Sequence, residues 1–245
     1  MIAATLQLDD INLTSQIACS SRLDSAFNWL FKKTQNADPN DLFWGMARHW
    51  KRIKATLRAA LQRGDYTFQP LKTVQLKDGM LVSMWHPLDA IVIKALTEVI
   101  TPLLTGSIDL SAASHLKGNG GLKQAVQKVK EKLQTNRFVC KTDIADYYAS
   151  IKHDVLLNQL RTKIKDNRVM RILHQILNRV HVRGGEHRLI ENKSIPRGCS
   201  LSPLLGALYL LPLDEWARNN KIDYVRYMDD VVILTKTRYQ LKRAL

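Results

Sequence analysis

Cysteine is scarce: Cys19, Cys140 and Cys199 are the three in 245 residues. Their number is odd and none stands in a Cys-x-x-Cys spacing, which excludes a disulfide framework and a thiolate zinc site and suits a reducing cytoplasm. No apolar run reaches the roughly 20 residues of a bilayer crossing without a charge inside it. The first ten residues, Met1 to Asp10, hold neither a basic segment nor a long apolar one, so no secretory leader is expected. There is no internal repeat and no low-complexity linker, so any subdomains should be interleaved rather than strung in line. Acids are also few, 22 Asp and Glu against 37 Lys and Arg, and the formal charge is +15. An excess of that size attracts polyanions, of which nucleic acid is the commonest. The expectation is a soluble cytoplasmic protein, clear of membranes, with length enough for one large domain or two closely packed subdomains.

In so basic a chain the placement of the acids carries weight. Tyr227-Met228-Asp229-Asp230 lies between two β-prone runs, 223–227 and 231–234, so both acids fall at the tip of a hairpin. An Asp-Asp pair in a turn is by itself ordinary, because Asp hydrogen-bonds its own backbone there. A third acid, Asp143, ends another β-prone run, Phe138 to Ile144. If the strands are neighbours, Asp143, Asp229 and Asp230 form a carboxylate cluster of the kind that suits Mg²⁺ and phosphoryl transfer. His174, His181 and His187 have no acid or Cys at ligand spacing and read as surface or core histidines.

Three ordered blocks carry a family resemblance: Thr142-Asp143-Ile144-Ala145-Asp146-Tyr147-Tyr148-Ala149-Ser150-Ile151, Ile195-Pro196-Arg197-Gly198-Cys199-Ser200-Leu201-Ser202-Pro203-Leu204-Leu205, and Tyr227-Met228-Asp229-Asp230. Together they resemble bacterial reverse transcriptases of the group II intron and group II-like class. The resemblance implies an α+β right-hand polymerase core with a mostly antiparallel palm sheet backed by helices. It implies RNA-directed DNA synthesis from dNTPs on an RNA template, from a DNA or RNA primer, with two Mg²⁺ ions (Mn²⁺ as substitute) held by Asp143, Asp229, Asp230 and the backbone of Ile144. Tyr148, five positions after Asp143, stands where a bulky residue meets a ribose 2′-hydroxyl. Arg197 stands where relatives carry Gln, and with Gly198 would meet the incoming nucleotide. Met80, Leu81, Val82 and Ser83 offer no basic residue after the expected fingers turn, leaving Lys72 and Lys77 for the nucleotide's phosphates. Lys117, Gly118, Asn119 and Lys123, in a glycine-rich basic stretch, would contact template; without the family that stretch is equally a flexible connection. Two rivals stand beside this reading: a non-catalytic RNA-binding or splicing-support remnant of a mobile element, and an RNA-directed RNA polymerase.

The expected layout is an N-terminal helical extension over 1–64, fingers over 65–136 and palm over 137–245, with fingers elements interleaved near 153–195. Ser21 and Asp24 suggest a capping box for the first helix. Phe43, Met46, Trp50, Ile53, Leu57 and Leu61 form one helical stripe, stopped at Gly64. The basic side of that helix is either a phosphate contact or a solvated exterior. Two short strands flank Asp78-Gly79, and Pro87 opens an apolar helix that ends near Gly106. Amphipathic segments around 156–164 and 169–180 precede a small hairpin about Gly184-Gly185, and Ser202-Pro203 starts a helix that Pro212 interrupts. The resemblance runs from about residue 50 to Leu245, whereas relatives continue into a helical thumb. The 245 residues alone are therefore expected to bind nucleic acid but to polymerise poorly or not at all.

Overall fold

The computed structural model describes residues 12–75, 81–106, 108 and 113–245. Lys77 and the Asp78-Gly79 turn lie outside the described residues. The chain opens with α1 (Leu13–Ile17) and α2 (Ser20–Thr34). Cys19 precedes α2 with no side-chain cap, so the expected capping box does not form. Asp24 serves tertiary partners instead, accepting from Trp50 Nε1 at 2.8 Å and Lys54 Nζ at 2.7 Å. Burial works against its charge, but these bonds and the ammonium outweigh it and hold the carboxyl below the usual range. The single stripe expected over 43–61 is two helices, α3 (Leu42–Arg48) and α4 (Trp50–Arg63), parted at His49. The chain leaves helical geometry at His49 (φ −113°, ψ 17°), and Phe43 and Trp50, on either side of the break, both stack on Phe27, at ring separations of 5.6 and 4.6 Å. Gly64 ends α4 at φ 78°, a left-handed cap.

The next elements follow the sequence pattern: β1 (Leu71–Gln75), β2 (Leu81–Met84), α5 (Pro87–Thr105), α6 (Gly121–Leu133), β3 (Phe138–Asp143), α7 (Tyr147–Ser150), α8 (His153–Lys163), α9 (Asn167–Leu177), β4 (Val180–Arg183) and β5 (Glu186–Leu189). After them come α10 (Ser202–Tyr209), α11 (Leu211–Asn219), β6 (Asp223–Tyr227), β7 (Asp230–Thr235) and α12 (Arg238–Ala244). Pro212 sits in the first turn of α11, where its missing N–H costs nothing, so the interruption becomes a helix start. Thr237 and Gln240 close a capping box on α12. Among the described residues no helix is long and apolar enough to cross a membrane.

Packing sorts the chain into two compact units that do not follow sequence order. The first holds residues up to Ile100, Leu160–Asn192 and Gly198–Ser200. Its sheet runs β2-β1-β4-β5, antiparallel except for the parallel pair of β1 with β4. Along α9, Val169, Ile172, Leu173, Ile176 and Leu177 are buried, a stripe at steps of three and four. The second holds Thr101–Gln159, Lys193–Arg197 and Leu201–Leu245. Its sheet is wholly antiparallel, in the order β3-β7-β6, with α6 against β6 and α12 against β7 and β3.

In the first unit Asp89, 1% exposed, accepts from Tyr66 Oη at 2.5 Å and from the Gln69 backbone N–H at 3.0 Å. Burial pushes its carboxyl up to about 6 despite those two bonds. A folded value above the unfolded one means that the fold binds this proton more tightly. The stability this proton contributes is full below about pH 4 and is lost as pH rises through about 6, on the order of 3 kcal/mol. Asp89→Asn keeps an acceptor for Tyr66 but has no proton to lose. Its Tm relative to the parent should therefore rise by several degrees between pH 4 and pH 7 in thermal unfolding. A difference that is flat with pH would contradict this.

Candidate active site

The second unit brings the three expected acids to one end of its sheet. Asp143, the last residue of β3, pairs with Asp230, the first of β7, and Asp230 pairs on its other side with Tyr227 of β6. Asp229 stands in the turn between β6 and β7, where its carbonyl accepts from the Ile144 N–H at 3.3 Å. That bond extends the β3–β7 pairing into the turn. Asp143, Asp229 and Asp230 line an open depression of about 430 Å³ together with Lys141 and Thr142.

Adjacent backbone positions do not make a closed cage. Among the described residues no three His, Cys, Asp or Glu side chains stand together as a ligand group. Neighbouring residues on a strand point to opposite faces, and Lys141 Nζ draws Asp230 Oδ1 to 3.1 Å. That pair is 70% and 50% exposed, so it is worth no more than about 1 kcal/mol and yields readily. The donor set nevertheless fits a hard divalent cation in kind: carboxylate oxygens on a rigid sheet end, open to solvent, with no sulfur or imidazole in the lining.

Behind the acids lies a buried polar frame that the sequence reading missed. Arg226 of β6 and Asp214 of α11 are both fully buried and meet through two bonds, Nη2 to Oδ2 at 2.6 Å and Nε to Oδ1 at 3.0 Å. Tyr224 Oη donates to the same Oδ1 at 3.0 Å. Burial opposes the Arg226 cation, but the bonds and charge of Asp214 outweigh it and hold the guanidinium more firmly protonated than usual. One signal was available: a lone Arg inside a β-prone run beside the acidic turn, with an Asp in the helical segment shortly before it. His115 is the other missed residue. Its Nδ1 lies 3.2 Å from the Met228 backbone nitrogen, and burial, with the Arg226 charge, lowers its pKa.

Tyr147 is buried, donates through Oη to the Gly206 carbonyl at 2.6 Å, and stacks on Tyr148 at 5.2 Å. A Cβ on Gly206 would stand 3.0 Å from Tyr147 Oη and 3.2 Å from Tyr148 Cε1, so glycine in α10 is what lets the tyrosine pair lie close. Burial raises the Tyr147 pKa, keeping its hydroxyl a donor. The Tyr148 carbonyl accepts from Ile195 at 2.9 Å, and Ser202 Oγ donates to the Pro196 carbonyl. These bonds seat the start of the loop that carries Arg197, which is exposed. Lys117, Gly118 and Lys123 are exposed, while Asn119 folds back, its Nδ2 donating to the Ala113 carbonyl at 3.2 Å. Lys72, exposed on β1, and Gly198, at φ 76°, belong to the first unit.

The family profile described as reverse transcriptase (RNA-dependent DNA polymerase) matches residues 79–245, well over half of the chain. The chain belongs to the reverse transcriptase family. All three motif blocks read from the sequence fall inside the matched span. This reverse transcriptase domain is 25% identical over 223 residues to Protein YkfC of Escherichia coli, covering 74% of this chain and 58% of that protein. It is also 25% identical over 159 residues to the Putative COX1/OXI3 intron 2 protein of Saccharomyces cerevisiae, covering 63% of this chain and 18% of that one. Among solved structures it resembles a chain of a partial Cas6-RT-Cas1–Cas2 complex, with a TM-score of 0.59 and 20% identity over 94% of this chain and 39% of that one. That last likeness concerns the fold alone. The chain thus spans a little over half of YkfC and smaller shares of the others.

Proposed function

We propose that the protein is an RNA-directed DNA polymerase, joining a primer 3′-oxygen to the α-phosphorus of a dNTP paired to an RNA template, with pyrophosphate leaving. The observation that carries this reading is the pairing of Asp143 with Asp230 across β3 and β7, with Asp229 tied into the same sheet end through Ile144. Asp143, Asp229 and Asp230, with the Ile144 backbone, are the residues to hold Mg²⁺ or Mn²⁺, which when bound supplies the Lewis-acid charge for phosphoryl transfer. The chain's own groups do the rest. The sheet fixes Asp143 and Asp230 on strands and ties the turn that carries Asp229 to the same end through Ile144, so little reorganisation is needed at the moment of reaction. Arg197 presents a permanent cation to a phosphate of the nucleotide or template, with Lys72, Lys77 and Gly198 assigned to the nucleotide as well. Lys117, Gly118 and Lys123 are assigned to the template backbone, with Asn119 of the same stretch bracing their loop through Ala113, and the +15 charge draws the polyanion in. The fingers, palm and N-terminal extension divide at residues 64 and 136 in this reading. Purified protein given an RNA template, a 3′-hydroxyl primer, dNTPs and Mg²⁺ should extend the primer, slowly and by few nucleotides. Extension with rNTPs in preference to dNTPs would replace the reading with RNA synthesis, and binding without extension would leave an RNA-binding role.

Tyr148 decides between sugars in this reading. Its ring is half-buried and held flat against Tyr147, so it has little freedom to give way to a 2′-hydroxyl. Tyr148→Ala should raise the kcat/KM for a ribonucleotide relative to its deoxy counterpart by roughly tenfold or more, the scale of about 1–3 kcal/mol for one steric contact. Single-nucleotide incorporation of matched dCTP and CTP measures it, and an unchanged ratio would reduce Tyr148 to packing.

A further inference from the structure

Met228 has φ of 57°, a left-handed conformation that costs a residue with a Cβ about 1 kcal/mol or more. Such a turn keeps its shape only where its surroundings hold it. Here both sides of the residue are engaged. The Met228 N–H donates to His115 Nδ1 at 3.2 Å, and Arg226 Nη1 lies 3.4 Å from the Met228 carbonyl oxygen. A ring nitrogen that accepts carries no proton, which places the proton of the neutral imidazole on Nε2. Nε2 lies 3.3 Å from the carbonyl oxygen of Pro203, which can only accept. The two contacts therefore select the same tautomer, and a chain of bonds runs from α10 through the ring to the turn.

The ring is itself well seated. Ala113 forms a parallel bridge with Arg226, the Gly121 N–H donates to the Ser114 carbonyl at 3.1 Å, and the Leu116 N–H to the Ala113 carbonyl at 3.2 Å. The imidazole meets Tyr227 edge-on at 6.1 Å. On the carbonyl side, Arg226 is locked by its two bonds to Asp214. Met228, immediately before Asp229, is thus held at its N–H by His115 from far along the chain and at its carbonyl by Arg226 two positions earlier.

We propose that His115 is a positioning residue for the acidic turn. Its Nε2–H, anchored on Pro203, aims Nδ1 at the Met228 N–H and so determines where the Asp229 carboxylate presents itself to a divalent cation. This rests on the assignment of Asp229 as a ligand. It also gives the glycine-rich stretch after β2 and α5 a role in shaping the site, besides any contact with template.

Two substitutions separate positioning from packing. His115→Asn keeps a short acceptor near the place of Nδ1, whereas His115→Phe keeps a ring against Tyr227 and has no acceptor. Tb³⁺ serves as the cation probe, read by luminescence sensitised through Tyr227, and emission lost in Asp229→Ala identifies the site. His115→Phe should weaken Tb³⁺ binding by about tenfold or more, the usual range for groups that orient a ligand, and His115→Asn by clearly less. In primer extension the Phe variant should lose kcat with KM for dNTP little changed. If Phe does not fold, as judged by circular dichroism, the smaller His115→Leu takes its place. Equal Tb³⁺ affinity in parent and Phe variant, or Asn no better than Phe, overturns the proposal, as does emission indifferent to Asp229→Ala. Tb³⁺ binding that follows the predicted order in a protein that extends no primer supports the role of His115 and refutes the polymerase reading instead.

Discussion

Replacing Asp229 by Ala lowers primer extension to about a thousandth of the parent rate or less, while fold and nucleic-acid binding survive. The rate follows from chemistry: a cation that stabilises transferring charge is worth several kcal/mol, and about 4 kcal/mol is a thousandfold. Survival of the fold follows from the contacts. Asp229 is tied into the sheet by its backbone carbonyl, which accepts from Ile144 and is kept in Ala. Its carboxylate lines an open depression and fills no core position. Binding should hold or strengthen slightly, because the change removes a negative charge from a surface that attracts phosphates. Single-turnover extension in Mg²⁺, with binding to the same primer–template in parallel, checks both halves. Extension within tenfold of the parent would remove Asp229 from the site, and loss of binding in step with activity would point to a folding defect.

Asp214→Ala should be the most destabilising single change in the second unit, at about 3–5 kcal/mol, because it leaves the Arg226 guanidinium fully buried with no counter-charge. Tyr224 Oη loses its acceptor at the same time. Removing both charges is a different matter, since a well-packed apolar pair of similar volume costs far less than half a broken ion pair. The double variant Asp214→Leu with Arg226→Met should recover most of the lost stability, whereas its acidic turn, without Arg226 at the Met228 carbonyl, should not recover activity. Urea unfolding of Asp214→Leu, Arg226→Met and the double variant gives the coupling energy directly. A loss below about 1 kcal/mol in Asp214→Ala, or a double variant as unstable as the sum of the singles, would show that the pair does not act as a unit.

Much of this chain could be read before it was folded. β-Prone runs bounded by acids and glycines marked β3, the β4–β5 hairpin and the β6–β7 hairpin. Pro87, Ser202-Pro203, Pro212 and Gly64 marked helix boundaries, because proline and glycine restrict the backbone whatever surrounds them. The three acids were legible as candidates because Asp at a strand end is a residue type and a position at once. Elsewhere the local signal pointed the wrong way. Asp24 offered itself as a cap and was taken by Lys54 and Trp50, and the stripe over 43–61 broke into two helices at His49, which leaves helical geometry.

What no stretch of sequence carried is which distant residues would meet. Propensity, capping and turn chemistry act over a few positions, and those terms were in the sequence itself. The tertiary structure decided that β1 would run parallel to β4, that Arg226 would find Asp214, and that His115 would take the N–H of Met228, 113 positions along the chain. A buried charge or N–H must be paired where water is excluded, and which partner reaches it depends on how whole helices and strands pack.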